Sequence, residues 1–151
     1  MGNLILDERD QAFVLYEMLE MQELCDTKKY AEFSRDMFDM ILSEAQKFAV
    51  EEIFPTLEES DKEGCRLENG QVYVPACFHR PYKLFCESGW NCMSLPQEIG
   101  GQGLPFLMRI AAHDWFVHNF AFVSYPVSAK GLPISSMFTA LRNRKLPICP
   151  R

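Results

Sequence analysis

From Ser94 to Pro105 the chain reads Ser-Leu-Pro-Gln-Glu-Ile-Gly-Gly-Gln-Gly-Leu-Pro, and no other stretch constrains the fold as strongly. Proline lacks a backbone N–H, and glycine loses the most conformational freedom when held in a helix. Pro96, Gly100, Gly101, Gly103 and Pro105 so close together preclude a long helix here. The segment reads as a tight connection in which Gly101 or Gly103 takes a positive φ. Pro105 is placed to open the next helix.

The flanks of this connection read as helices. Upstream, Ser34 is a candidate N-cap. Phe38, Ile41, Leu42, Ala45, Phe48 and Ala49 then keep one face apolar over three turns, with Glu44 and Lys47 on the polar side. Pro55 stops or kinks that helix. Earlier still, Asp7 can cap a helix carrying Ala12, Leu15, Met18 and Leu19 and ending near Cys25. Asn69-Gly70, followed by Val72, Tyr73 and Val74, predicts a small hairpin or extended insert near 65–75. A third helix is expected from His79 to Ser88, with Pro81 in its first turn and Phe78, Tyr82 and Phe85 on one side. Gly89 suits a left-handed C-cap, and Trp90 anchors the loop after it. The fourth helix, after Pro105, shows an interrupted apolar face through Leu107, Ile110, Ala111, Val117 and Ala121 and ends at Pro126. The fold class is therefore all-α: about four main helices packed antiparallel or obliquely, with one small extended insert. The chain divides into an amino-terminal extension helix (1–33), a helical domain (34–126) and a divergent tail (127–151).

Composition narrows the function classes. A chain of 151 residues, 48% of them hydrophobic, can bury a core without disulfide staples. No apolar run approaches the roughly 18 residues of a membrane span. The opening MGNLILDERD is too acidic for a secretory signal, and Leu6 stands where a myristoylation pattern wants Ser or Thr, so a cytoplasmic location is expected. The six cysteines form no C-x-x-C pair, which leaves a zinc or redox motif without support. The tail holds Lys130, Arg142, Arg144, Lys145 and Arg151 and no acid. It contributes +5 to a net charge of −6, leaving −11 on the rest. So acidic a body argues against nucleic acid as a partner, and the basic tail reads as a solvated segment.

Two segments carry a family resemblance. Phe48-Ala49, Glu51, Ile53 and Pro55 resemble the F-A-x-E-x-I-x-P pattern common in the first helix of acyl-CoA dehydrogenases. Glu87-Ser88-Gly89-Trp90, with Pro96-Gln97-Glu98-Ile99-Gly100-Gly101-Gln102-Gly103-Leu104, is similar to that family's E-x-G-[WF]…P-x-E-x-G-G-x-G-L loop. The insert from Asp61 through Asn69-Gly70 to Pro75 resembles a subgroup with an extra amino-terminal segment, of which methylmercaptopropionyl-CoA dehydrogenase is one member; residues 4–30 would be that segment. Asn119-Phe120-Ala121-Phe122 and Tyr125-Pro126 continue the pattern, so the resemblance covers about residues 4–126. It implies a parent enzyme that oxidises an acyl-CoA thioester to its 2,3-enoyl-CoA with FAD and passes electrons to an electron-transfer flavoprotein. It also implies that the flavin sites and the glutamate base lie in parts of the parent with no counterpart here. The chain alone is thus expected to be inactive, with no catalytic residue, no bound cofactor and no metal.

By position in that family, Phe122, Val123, Ser124 and Tyr125 would form the wall of the acyl pocket; read as residues alone, they are core or interface aromatics and their neighbours. The glycine loop lacks the Lys-Ser/Thr of a phosphate-binding loop and reads as tight turns. His113 and His118 are five apart and diverge around a helix, so they read as solvent-facing or interface histidines, and Asp114 falls where the resembled family usually has a glutamate. The fourth helix carries Phe106, Trp115, Phe116, Phe120, Phe122 and Tyr125 nearly all round. Some of these rings are expected to be exposed and to favour self-association, or to be covered only by Leu132, Ile134, Met137, Phe138 and Leu141 of the tail. A small helical protein-interaction module is the alternative to an enzyme fragment.

Overall fold

Two capping side chains set where the first helices begin. The structure, a computed structural model, describes residues 5–124. The Asp7 carboxylate accepts from the backbone N–H groups of Arg9 and Asp10 and opens α1, Glu8–Ala12. Ser34 Oγ accepts from the Met37 N–H and opens α2, Arg35–Phe48.

The first helix does not run on regularly to Cys25. It widens into a π-helical turn, Phe13–Met18, closed by the Leu19 N–H on the Val14 carbonyl. It then breaks at Glu20, which takes a left-handed φ of 48°, and a 3-10 helix, Met21–Asp26, follows. A π turn rotates every later side chain relative to an α-helical count. Leu15 and Tyr16 therefore face the core, while Met18 and Leu19, expected on the same stripe as Leu15, face solvent. The extension is nonetheless tied down. Tyr16 donates its hydroxyl to Asp39 at 2.6 Å, and the Arg35 guanidinium lies 4.3 Å from the centre of the Tyr16 ring. Burial and the Asp39 carboxylate together raise the Tyr16 pKa well above its usual value.

Helix α2 buries the face its spacing predicts. Phe38, Ala45 and Ala49 are fully buried, and Ile41, Leu42 and Phe48 pack against the same core. Pro55 does not end the helical path. A second π turn, Ala49–Ile53, and a 3-10 turn, Phe54–Thr56, carry the chain past the proline into α3, Leu57–Glu63. This local change of pitch spares the clash a proline ring makes in a regular helix. Strands β1, Arg66–Glu68, and β2, Gln71–Tyr73, pair antiparallel as an exposed hairpin. Asn69 and Gly70 both take positive φ, as the favoured two-residue hairpin turn demands. Helix α4, His79–Glu87, buries Pro81 and Phe85 but leaves Tyr82 half out. Gly89 closes it at φ 75°, and Trp90 turns inward behind it.

Helix α5, Phe106–Phe116, packs chiefly on α2. Its buried face is Met108, Ala111, Ala112, Trp115 and Phe116. The face expected from spacing is corrected: Ala111 is buried, but Ile110, Val117 and Ala121 are exposed and Leu107 is only partly covered. A helix apolar nearly all round carries no polar side to mark its orientation. Phe48, Phe85, Trp90 and Phe116 knit the core, with Phe116 edge-on to the other three at 5.3–5.9 Å between ring centres. Gln11 joins the extension to α5 through both ends of its amide, donating to the Ala111 carbonyl and accepting from the Trp115 indole, each at 2.9 Å.

Candidate functional site

The glycine loop before α5 is a set of tight turns. Gly100 and Gly103 take φ of 86° and 70°; Gly101 does not, but a Cβ there would sit 2.0 Å from the Leu95 carbonyl oxygen. Its amides are already committed. The N–H groups of Gly100, Gly101, Gln102, Gly103 and Leu104 donate to the carbonyls of Gln97, Pro96, Cys92, Leu95 and Met93 at 2.9–3.1 Å. A phosphate cradle needs such donors turned outward toward the ligand. The loop does not fit a flavin or nucleotide phosphate.

At the far end of α5, a 3-10 turn, Val117–Asn119, leads into a helical path that continues to residue 124. Of the four residues assigned to an acyl-pocket wall, Phe122 and Val123 are buried. Phe122 meets Phe78 and Phe85 edge-on at 5.5 and 5.9 Å between ring centres. With Val74, Phe78, His79 and Tyr82 it lines an apolar recess of about 180 Å³. That volume is smaller than the roughly 300–1,000 Å³ of ligand-enclosing pockets. Ser124 turns back and donates to the Ala121 carbonyl at 2.8 Å. Tyr125 lies outside the described residues.

The sequence reading missed the polar cluster that holds this end in place. Asn119, almost wholly buried, donates to Thr56 Oγ1 at 3.0 Å and to Ser60 Oγ at 3.2 Å, and accepts from the Phe122 N–H at 3.1 Å. Each hydroxyl donates to the carbonyl three residues before it, Thr56 to Ile53 and Ser60 to Leu57. The cluster is therefore satisfied and clamps the 117–124 segment onto the start of α3. The available signal was a lone amide in the apolar run around Phe120 and Phe122, with a Thr and a Ser spaced i, i+4 after Pro55.

His113 Nδ1 lies 3.0 Å from the Arg109 carbonyl, and its ring packs on Phe116 and Phe85. Asp114 is exposed. Burial lowers the Arg109 pKa and raises those of the Cys25 and Cys77 thiols, which disfavours thiolate at neutral pH. Among the described residues no three His, Cys, Asp or Glu side chains could share a metal, and no helix is long and apolar enough to cross a membrane. Among the described residues the arrangement supplies an apolar wall, with His79 and Tyr82 on its rim, and a loop whose amides are paired within it.

Comparison with known proteins gives the family to which these elements belong. A family model described as acyl-CoA dehydrogenase, N-terminal domain, matches residues 36–131. The 3-methylmercaptopropionyl-CoA dehydrogenase of Ruegeria pomeroyi is 35% identical over 106 residues, which cover 70% of this chain and 18% of that protein. The chain thus spans less than a fifth of the length of that curated relative.

Proposed function

The chain belongs to the acyl-CoA dehydrogenase family, and from that premise we propose that it supplies the amino-terminal helical domain of an enzyme that dehydrogenates an acyl-CoA thioester at its α,β bond. The observation that carries this is the match over residues 36–131, which takes in α2, the glycine loop and α5 together. On this reading, residues 34–126 are the domain proper and the segment before it is an extension seated on α2 and α5. Phe122 and Val123 stiffen one wall against which an acyl chain lies, with Ser124 and Tyr125 continuing it. FAD supplies the hydride acceptor in the whole enzyme, and electron-transfer flavoprotein takes the electrons from it. The glycine loop, with its amides paired within the loop, offers FAD no phosphate cradle, so no step is assigned to it. The 151-residue chain by itself is proposed to be catalytically silent.

Replacing the matching segment of the Ruegeria enzyme with this chain tests the reading. The chimera should retain FAD and acyl-CoA-dependent dye reduction, while the isolated chain should be colourless and inactive. A chimera that folds and binds FAD yet does not turn over would sink the pocket-wall role. A yellow, active isolated chain would sink the proposed division of labour.

A second reading, a protein-interaction module, is favoured by one observation. Phe106, Ile110, Val117 and Phe120 are exposed along one side of α5 and its continuation. Wherever nothing covers such a face, it drives self-association.

A further inference from the structure

We propose that strand β1 pairs antiparallel with β1 of a second copy of this chain, joining the two hairpins into one four-stranded sheet. Every residue of β1 and β2 is exposed. A two-stranded hairpin alone is marginal in water, and its outer edges offer unpaired N–H and C=O groups to another strand. The inference stands apart from the proposed enzyme role and rests on the hairpin alone.

The register fixes which groups those are. Glu68 and Gln71 flank the two-residue turn, so they form a hydrogen-bonded pair. Antiparallel pairs alternate, which makes Leu67↔Val72 a non-hydrogen-bonded pair and Arg66↔Tyr73 a hydrogen-bonded one. The Leu67 N–H and C=O therefore point away from β2, toward the free edge of β1. No backbone hydrogen bond among the described residues takes them up. A two-fold axis beside Leu67 satisfies both at once, because each Leu67 N–H then donates to the Leu67 carbonyl of the other copy.

The side chains select a second copy as the occupant. The same axis sets Arg66 directly opposite Glu68 of the other copy, on both sides of Leu67. These pairs fall at non-hydrogen-bonded positions, where facing side chains come closest. Parallel pairing in register would instead set Arg66 against Arg66 and Glu68 against Glu68. The free edge of β2, paired in the same way about Val72, would bring Gln71 beside Tyr73 and no opposite charges. Leu67 and Val72, 72% and 62% exposed, share one face of the hairpin. Joining the two β1 strands aligns these residues and their copies in one apolar row. The net charge of −6 opposes association of whole bodies, so a contact between copies has to be local and complementary, as this one is.

Sedimentation of the intact chain up to millimolar concentration tests this. The unaltered chain should show a reversible monomer–dimer equilibrium. Leu67→Pro removes the outward N–H but no bond of the hairpin's own ladder, and it should abolish the dimer. Arg66→Glu and Glu68→Arg should each weaken it about tenfold, since attraction becomes repulsion at both pairs. Within one chain Arg66 also lies 3.6 Å from Glu68, so these losses alone do not separate contacts within a copy from contacts between copies. Mixing the two charge variants does. Arg66→Glu chains should pair with Glu68→Arg chains more tightly than either pairs with itself, because both cross-strand pairs are then attractive. Circular dichroism should show every variant as helical as the unaltered chain. A chain that stays monomeric at millimolar concentration would overturn the proposal. Dimers that survive Leu67→Pro would assign self-association to another face, such as the stripe on α5, and overturn it equally. So would charge variants that show no preference for each other.

Discussion

Helices α2 and α5 pack against each other, yet they present themselves in opposite ways. α2 has one apolar face and one charged face, so its sequence states which side is buried. α5 is apolar nearly all round, and only the folded chain reveals that Met108, Ala112, Trp115 and Phe116 go inward while Phe106, Ile110 and Phe120 do not. The difference teaches that hydrophobic residues report burial only where polar ones supply contrast. It also shows that α5 and its continuation carry surplus apolar surface, at Phe106, Ile110, Val117 and Phe120.

The comparison can be broken first at the shared core. Phe116→Ala should cost about 3–5 kcal/mol, because its ring is fully buried against Phe48, Phe85 and Trp90. Phe120→Ala, four residues on, should leave the urea midpoint nearly unchanged. Equal losses from the two would mean that both sides of α5 are structural.

The next effect is polar. Asn119→Leu should cost about 1–3 kcal/mol, since the buried Phe122 N–H loses its acceptor. The loss should appear in exchange at 117–124 and α3 before it appears in α2. Uniform loosening of the whole domain would contradict the view that this clamp belongs to the α5 end.

These two results bear on what could be read from sequence alone. Caps and turns were legible because each rests on one residue's chemistry: Asp7, Ser34, Asn69-Gly70, Gly89 and Gly103 all adopt their expected roles. The face of α2 was legible because Glu44 and Lys47 mark its outside. The break at Glu20 was not, because no glycine or asparagine announces its positive φ. The burial of Phe122 could be expected of any aromatic there, but its setting could not. That setting depends on Asn119 meeting Thr56 and Ser60, about sixty residues away in the chain.

A smaller effect tests the start of α2. Ser34→Ala removes the acceptor for the Met37 N–H and should cost about 1 kcal/mol, read from thermal melts. An equal loss in Ser34→Gly would point to the side chain's other contacts, since glycine is nearly as good a cap.

The smallest is confined to alkaline solution. The Tyr16 pKa is raised in the folded chain, so the stability it contributes is fully present below the unfolded value of about 10 and is lost as pH rises above it. The wild-type melting temperature should fall through that window, and Tyr16→Phe should flatten the fall while leaving a small constant loss at neutral pH. An identical alkaline fall in both proteins would assign it to other groups.

The π turn at Ala49–Ile53 has a consequence of a different kind. Its i→i+5 closure, from the Phe54 N–H to the Ala49 carbonyl, makes it equivalent to an α-helix with one residue inserted. It acts as a phase shift: everything after it is rotated by about 100° relative to α2. Excising Val50, which is exposed, would let the backbone relax into an unbroken helix of good local geometry. Yet Thr56 and Ser60 would swing away from Asn119, and Pro55 would meet a regular helical carbonyl. A one-residue deletion that improves the local helix should therefore damage the fold more than removing either hydroxyl, and gene lineages carrying this domain should tolerate changes of side chain at 49–53 far better than changes of length.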